Sequence, residues 1–257
     1  MDFDNRLAMV LRKGPFAVFA AMLGLWSAAG PAQQHDAAPA VLELFTSQGC
    51  SSCPSADALL KTFAGRKDAV ALTLAVDYWD HLGWKDTFAN PNHSRRQRAY
   101  AKARGDHRVY TPQMVVNGTA HAIGSRQQDI EELIVRTGRE LAPARVPLKV
   151  SAQHGMIVIE TGTAANSAAA ARGTIWIARV QPVGEVAIVR GENHGKTLTY
   201  YNVVHDLTAA GMWSGEHAGT VRLPWSAVLR NDREKCVVFL QQGTAGAIIA
   251  AAWMTRL

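Results

Sequence analysis

The sequence predicts a mixed fold, an α/β domain over residues 41–141 followed by a β-rich, sandwich-like domain over residues 145–257. Three observations predict it. Apolar runs and helical periodicities alternate as far as Leu141, the order expected of a layered α/β unit. Pro143 and Pro147 then mark a linker. Beyond them come short β-favouring runs punctuated by Gly, Asn and Asp. With 257 residues, 48% hydrophobic and 19% charged, the chain has room for two folded domains and lacks the composition of a disordered one.

Residues 1–32 read as a secretory signal peptide. Arg12 and Lys13 precede an apolar run of 14 residues, Phe16 to Ala29, and Gly30-Pro31-Ala32 follows. The run is shorter than the roughly 20 residues a membrane helix needs. Cleavage near Ala32 leaves a periplasmic or secreted protein with no membrane span. Residues 33–40 form a polar lead-in. The whole chain carries a net charge of +6, and no nucleic-acid motif accompanies that excess.

Val41 to Phe45 is a buried strand by composition, and Gly49 permits the turn after it. Ala56, Leu59, Leu60 and Phe63 recur at helical spacing up to Gly65, so Cys50 falls at or just before a helix N-terminus, with Cys53 one turn in. Unpaired N–H groups and the helix dipole favour a thiolate there. They can lower a cysteine pKa from about 8.5 into the range of about 3.5–7.5. Cys50 is thereby the candidate attacking thiolate, more exposed than Cys53, which would resolve a mixed disulfide. A static staple, half a zinc site and two unrelated buried thiols also fit the pair. Zinc is poorly supported, because only Cys236 remains and no second ligand pair accompanies it.

Ala69 to Val76 is a second strand, apolar on both faces and so parallel to the first. Asp77-Tyr78-Trp79-Asp80-His81-Leu82-Gly83-Trp84 follows at the strand's C-terminal end, where α/β sheets place ligand crevices. It fits a substrate-facing rim that includes Trp79, and equally a packed loop covering the sheet. Asn90-Pro91 opens a helix ended by Gly105, and its Arg95, Arg96, Arg98, Lys102 and Arg104 read as a solvated face. Asn117-Gly118 between apolar runs signals a hairpin, and Ser125 with Gln128 signals a capping box before the last helix.

The order β-α-β, helix, β-β-α, with Cys50-x-x-Cys53 at the first helix and Thr111-Pro112 opening the third strand, resembles the thioredoxin fold. The resemblance implies a cis Thr111–Pro112 bond facing the cysteines and backbone exposed there for an extended substrate. More narrowly, Leu44-Phe-Thr-Ser-Gln-Gly-Cys50-Ser-Ser-Cys53-Pro54, Asp77-Tyr-Trp-Asp80 with Gly83-Trp84, and Tyr110-Thr-Pro-Gln-Met-Val-Val-Asn-Gly118 resemble a family of exported thioredoxin-like proteins. That family is catalogued only as a domain of unknown function, the 1223 family. The likeness runs from Val41 to the C-terminus and supplies a fold and a location without a reaction. The chain departs from ordinary thioredoxins in having Gly49 where a Trp usually precedes the first cysteine. Leu44 stands at their buried acid, with Glu43 on the opposite face, and Ser51-Ser52 replaces Gly-Pro.

In the C-terminal half, strands are expected at 148–152, 156–161, 174–180, 185–189, 197–204, 220–223, 236–241 and 247–254. Arg190 to Lys196 reads as a polar hairpin connection rather than a docking loop. The histidines show no ligand spacing, and Cys236 fits a buried structural thiol. The function expected is thiol–disulfide exchange on extracytoplasmic protein thiols and disulfides through Cys50 and Cys53. Thr111, Pro112 and Trp79 would line the substrate groove, with no cofactor beyond the cysteines themselves. The rivals are a copper or other soft-metal delivery module and a non-catalytic, partner-binding scaffold with a structural disulfide.

Overall fold

Two long apolar strands seed the architecture. Ala40–Thr46 (β1) and Ala69–Ala75 (β2) are buried along their whole length, which alternating polarity could not achieve, and they pair in parallel from Ala40↔Ala69 to Thr46↔Ala75. The structure is a computed structural model that describes residues 38–256 except 165, 167–171 and 216. The leader expected over 1–32, and the lead-in as far as residue 37, lie outside the described residues. Among the described residues no helix is long and apolar enough to cross a membrane.

Between the two strands runs Pro54–Ala64 (α1), and after them Pro91–Arg104 (α2). Asn90 caps α2 by accepting from the Asn92 N–H, and Gly105 ends it with φ of 76°. Gln113–Val116 (β3) and Ala120–Ile123 (β4) form the expected hairpin, with positive φ at both Asn117 and Gly118. A Cβ at Gly118 would lie 2.3 Å from the Gly246 carbonyl oxygen, so only glycine fits that approach. Gln127–Leu141 (α3) follows. Its N-cap residue is Arg126, which makes no side-chain cap, so the capping box expected from Ser125 and Gln128 does not form.

The strands of the second half are Leu148–Gln153 (β5), Met156–Thr161 (β6), Gly173–Ala187 (β7), Thr197–Trp213 (β8), Gly219–Pro224 (β9), Lys235–Gln242 (β10), Ile248–Trp253 (β11) and Thr255–Arg256 (β12). The runs expected at 174–180 and 185–189 are one strand. Pro182 interrupts neither, because it lies beyond Val180, the last residue of β7 paired to β10, on a stretch with one neighbour only. Eight strands form a mixed, mostly antiparallel sheet in the order β11-β10-β7-β8-β2-β1-β3-β4, and β12-β5-β6-β9 form a second sheet. One apolar core, with Ile157, Ile159, Ile177 and Val238, fills the space around the second sheet.

Segments 41–141 and 145–257, expected as separate domains, share the larger sheet and a core that mixes Phe45 and Leu74 with Val180, Val237 and Phe239. At the seam β2 and β8 meet in parallel at Thr73↔Val203. Side chains complete the junction: the Thr73 hydroxyl donates to the Tyr201 carbonyl (2.7 Å) and the Asn202 amide to the Ala71 carbonyl (2.9 Å).

A buried charge pair fastens the same seam. Arg96 of α2 donates to Glu43 of β1 through Nε at 2.6 Å and Nη2 at 3.2 Å, and through Nη1 to Gln241 of β10 at 3.0 Å. The Tyr100 hydroxyl bonds to both members of the pair. Arg96 therefore leaves the solvated face expected of this helix, although Arg95, Arg98 and Lys102 stay on it. Two predictions share one measurement, urea unfolding. Arg96→Ala strands the Glu43 carboxylate in the core and should cost about 3–5 kcal/mol, whereas the double variant Glu43→Leu/Arg96→Met should lie closer to wild type. A loss below about 1 kcal/mol for the single variant would remove the pair from its structural role.

Candidate functional site

The site forms where β1 ends. The chain turns after Thr46, the Cys50 N–H donating to the Ser47 carbonyl (3.2 Å) and the Cys53 N–H to the Cys50 carbonyl (3.2 Å). Cys53 is the N-cap residue of α1 rather than a residue one turn inside it, and Pro54 takes the first helical position, where a missing N–H costs nothing. Cys50 and Cys53 are joined as a disulfide with their Cα atoms 5.4 Å apart.

Neither cysteine is open to solvent. Cys50 keeps 1% of its surface and Cys53 none, while Ser51 and Ser52 between them are exposed. A segment about 140 residues on in sequence docks on this turn. In the hairpin connecting β7 to β8, the Asn193 side-chain amide donates to the Gln48 carbonyl and to the Cys50 carbonyl, both at 2.9 Å. Glu192 accepts from the Ser51 N–H at 3.0 Å. Arg190 to Lys196 is thus a hairpin connection, as expected, and it also docks on the cysteine turn.

The aromatic loop packs against the turn from another side. Gln48 is its clamp: the Gln48 N–H donates to Asp86 (2.7 Å), and its side-chain oxygen accepts from the Trp84 indole (2.8 Å) and the Thr87 N–H (3.1 Å). Gly49 matters here for closeness, since a Cβ on it would come within 3.3 Å of Trp79 Cβ. The Trp79 indole donates to the Thr111 hydroxyl at 2.8 Å, so these two predicted residues are brought together, both half-buried. The Thr111–Pro112 bond is cis. Pro112 is buried, and its carbonyl accepts from the Gly124 N–H (2.9 Å). A Cβ on Gly124 would sit 3.1 Å from both Pro112 Cβ and Ala56 Cβ, which sets Pro112 across from the first turn of α1.

One turn beyond Cys53 lies a buried carboxyl that the sequence pattern did not single out. Asp57 of α1 is 2% exposed, and the Cys53 carbonyl accepts the Asp57 N–H at 3.0 Å. Burial pushes its pKa up to about 8, against the lowering effect of the bond from the Thr46 hydroxyl (2.7 Å), and the charge of Asp86 adds to the rise. Its Oδ2 and the buried Tyr200 hydroxyl have no hydrogen-bond partner among the described residues. Burial also raises Asp86, to about 6, despite the N–H groups of Gln48 and Phe88 that favour its charge. The available signal was an Asp inside the apolar stripe Ala56, Leu60, Phe63. Cys236 is buried in β10, and burial pushes its thiol up to about 12, as befits an inert structural thiol. Among the described residues no three His, Cys, Asp or Glu side chains gather as a metal site.

Chemically, the arrangement sets a disulfide at the start of α1 and, one helical turn on, a carboxyl whose pKa burial raises. The linkage sign follows from the raised pKa. The unfolded chain releases the Asp57 proton near pH 4 and the folded chain near 8, so this group makes stability fall as pH rises between them. From pH 7 to 8 Asp86, raised only to about 6, is ionised in both states and adds little to the slope. Asp57→Asn should remove a slope of up to about 1.4 kcal/mol per pH unit in that window, read from denaturant unfolding at each pH. An unchanged slope would mean that Asp57 is already ionised.

Residues 41–241 match a family described as "Protein of unknown function (DUF1223)". No curated protein matches the chain. Among solved structures, a crystal structure of a protein from Agrobacterium tumefaciens is 33% identical with a TM-score of 0.75, over 85% of this chain and 94% of that one. A second, HBP35 of Porphyromonas gingivalis, is similar in fold alone, at 13% identity and a TM-score of 0.56, over 84% of this chain and 74% of that one.

Proposed function

We propose that this chain, which belongs to the DUF1223 family, carries out thiol–disulfide exchange on extracytoplasmic proteins through Cys50 and Cys53. The observation that carries the reading is the Cys50–Cys53 disulfide closing the turn at the N-terminus of α1. On reduction, the dipole of that helix start favours thiolate over thiol. The thioredoxin-like character of residues 41–141 is part of the same reading. It is supported by the β-α-β, α, β-β-α order, by β1 lying between parallel β2 and antiparallel β3, and by the cis Thr111–Pro112 bond. Export rests on the leader-like residues 1–32 and supplies the oxidising compartment in which such a pair cycles.

The exchange balances without a cofactor. The Cys50 thiolate attacks one sulfur of a client disulfide, and the client S–S bond breaks with its electron pair on the other sulfur, which takes a proton. Cys53, deprotonated, then attacks Cys50 Sγ and expels the client's first sulfur as a thiol. The Cys50–Cys53 disulfide re-forms, and the client has gained two electrons. In the opposite direction the same steps oxidise a client dithiol. Trp79 and Thr111, bonded to each other beside Gly49, are the groove wall nearest the cysteine turn.

Trapping tests the reading. With Cys53 replaced by Ser the resolver is gone, so Cys53→Ser isolated from its native compartment should carry reducible adducts to other exported proteins, and Cys50→Ser should carry few. A metal carrier would lose affinity from either change, and a staple would lose only about 2–4 kcal/mol of stability. Equally sparse adducts on both variants, where a known oxidoreductase is trapped in parallel, would end the exchange reading.

A further inference from the structure

The β7–β8 hairpin tip carries more than a connection. From Val189 to Thr197 every residue is exposed except Asn193, which has no accessible surface, and Val189 itself stands 61% exposed. A short ladder keeps the hairpin intact within itself: the Ile188 N–H donates to Lys196 and the Gly195 N–H to Ile188, both at 2.9 Å. To the rest of the molecule it is fastened by few groups. Asn193 donates to the Gln48 and Cys50 carbonyls, Glu192 accepts from Ser51, and Gly191 lies against Trp84, a Cβ there falling 3.1 Å from Trp84 Cβ. Lys196 in turn donates to Asn193 Oδ1 at 2.9 Å, which fixes the amide so that its N–H₂ faces the two carbonyls. Beyond the buried Ile188 at its base, the tip is held chiefly by polar contacts, and such a segment opens at lower free-energy cost than global unfolding.

The disulfide beneath it is closed to attack. An incoming thiolate must reach Cys50 Sγ in line with the S–S bond, yet Cys50 exposes 1% and Cys53 none. We propose that Asn193 is a positioning residue that latches the β7–β8 hairpin over the cysteine turn, so that Cys50 reacts only in the fraction of molecules whose hairpin has lifted. In the exchange reading, on which its biological use rests, the latch selects clients. A protein must displace Glu192 from the Ser51 N–H and offer an acceptor of its own, a backbone carbonyl or a carboxylate, while a small thiol waits for spontaneous opening. Opening also leaves the carbonyls of Gln48 and Cys50 to water, so the turn loses its fixed shape as the disulfide becomes reachable.

Reduction by dithiothreitol tests the latch without any assumption about clients. One thiolate attacks Cys50 Sγ, the Sγ–Sγ bond breaks with its electron pair on Cys53, which takes a proton, and the second thiolate displaces Cys50. The protein gains two electrons and two thiols, and the reagent leaves as its cyclic disulfide. The oxidised full-length secreted protein is treated at pH 7.5, quenched by alkylation and weighed, so each reduced molecule gains two labels. Asn193→Ala removes the two hydrogen bonds to the turn and the one from Lys196, and Asn193→Asp keeps the shape but turns an acceptor toward two carbonyls. Both should be reduced at least about tenfold faster than wild type. Ile159→Val, a core change on β6 of the second sheet, should stay within about twofold even though it lowers stability. No acceleration in either Asn193 variant overturns the latch, and so does an equal acceleration in Ile159→Val, because reduction would then run through global unfolding. Accelerated reduction with no client adducts on Cys53→Ser would leave the latch standing and sink the exchange reading alone.

Discussion

The pair Glu43–Arg96 is the constraint on which the rest of the molecule leans. Glu43 is 1% exposed and Arg96 7%, and two ions so placed incur a desolvation cost that only good geometry and further hydrogen bonds offset. Both conditions are met here. The guanidinium meets the carboxylate through two nitrogens, Tyr100 and Gln241 satisfy the remaining groups, and the rings of Tyr100, Trp176 and Phe239 lie within 4.8–5.6 Å of the guanidinium carbon. Because the four polar residues come from β1, α2 and β10, the pair can be satisfied only when the N- and C-terminal halves share one sheet. That sheet then brings the β7–β8 hairpin to the end of β1, where the cysteines are.

The groups that fix the cysteine turn are far from it in sequence and close in space. One side of the turn is clamped by Gln48 to Asp86, Trp84 and Thr87, and another is covered by Asn193 and Glu192. The polar face of α2 steadies the aromatic loop. Ser94 bonds Asp77, and Gln97 accepts from Tyr78 (3.1 Å) while donating to the Tyr110 carbonyl (2.8 Å) next to Thr111. Asp57 and Tyr200 leave polar atoms unpartnered among the described residues in a buried setting, an arrangement that costs stability.

Much of this was legible in the sequence, for reasons that differ by residue. Short-range signals carried well: the apolar runs of β1 and β2, Asn90-Pro91 at the start of α2, Asn117-Gly118 at the hairpin, and Cys50-x-x-Cys53 between strand and helix. What failed was long-range pairing. Arg96 stands among five basic residues of one helix, and nothing local tells which of them meets Glu43. Asn193 sits in a polar connection whose composition says only that it is a turn, since its partners are 143 and 145 positions away. Asp57 was overlooked because a charged residue within an apolar helical stripe reads as solvent-facing at its edge, although its spacing from Cys53 and Leu60 puts it inside. The near-complete burial of Cys50 was equally illegible, because a helix N-terminus says nothing of the distant segments that pack around it.

The central claim is that Cys50 and Cys53 form a working redox couple and not a permanent staple. Its reduction potential, read from the reduced fraction across glutathione or dithiothreitol buffers at pH 7, tests that most directly. Thiolate stabilisation at the helix start favours the reduced form, and the account predicts a potential between about −120 and −270 mV, the span of dithiol oxidoreductases. A value below about −300 mV, where structural disulfides of secreted proteins lie, would contradict it.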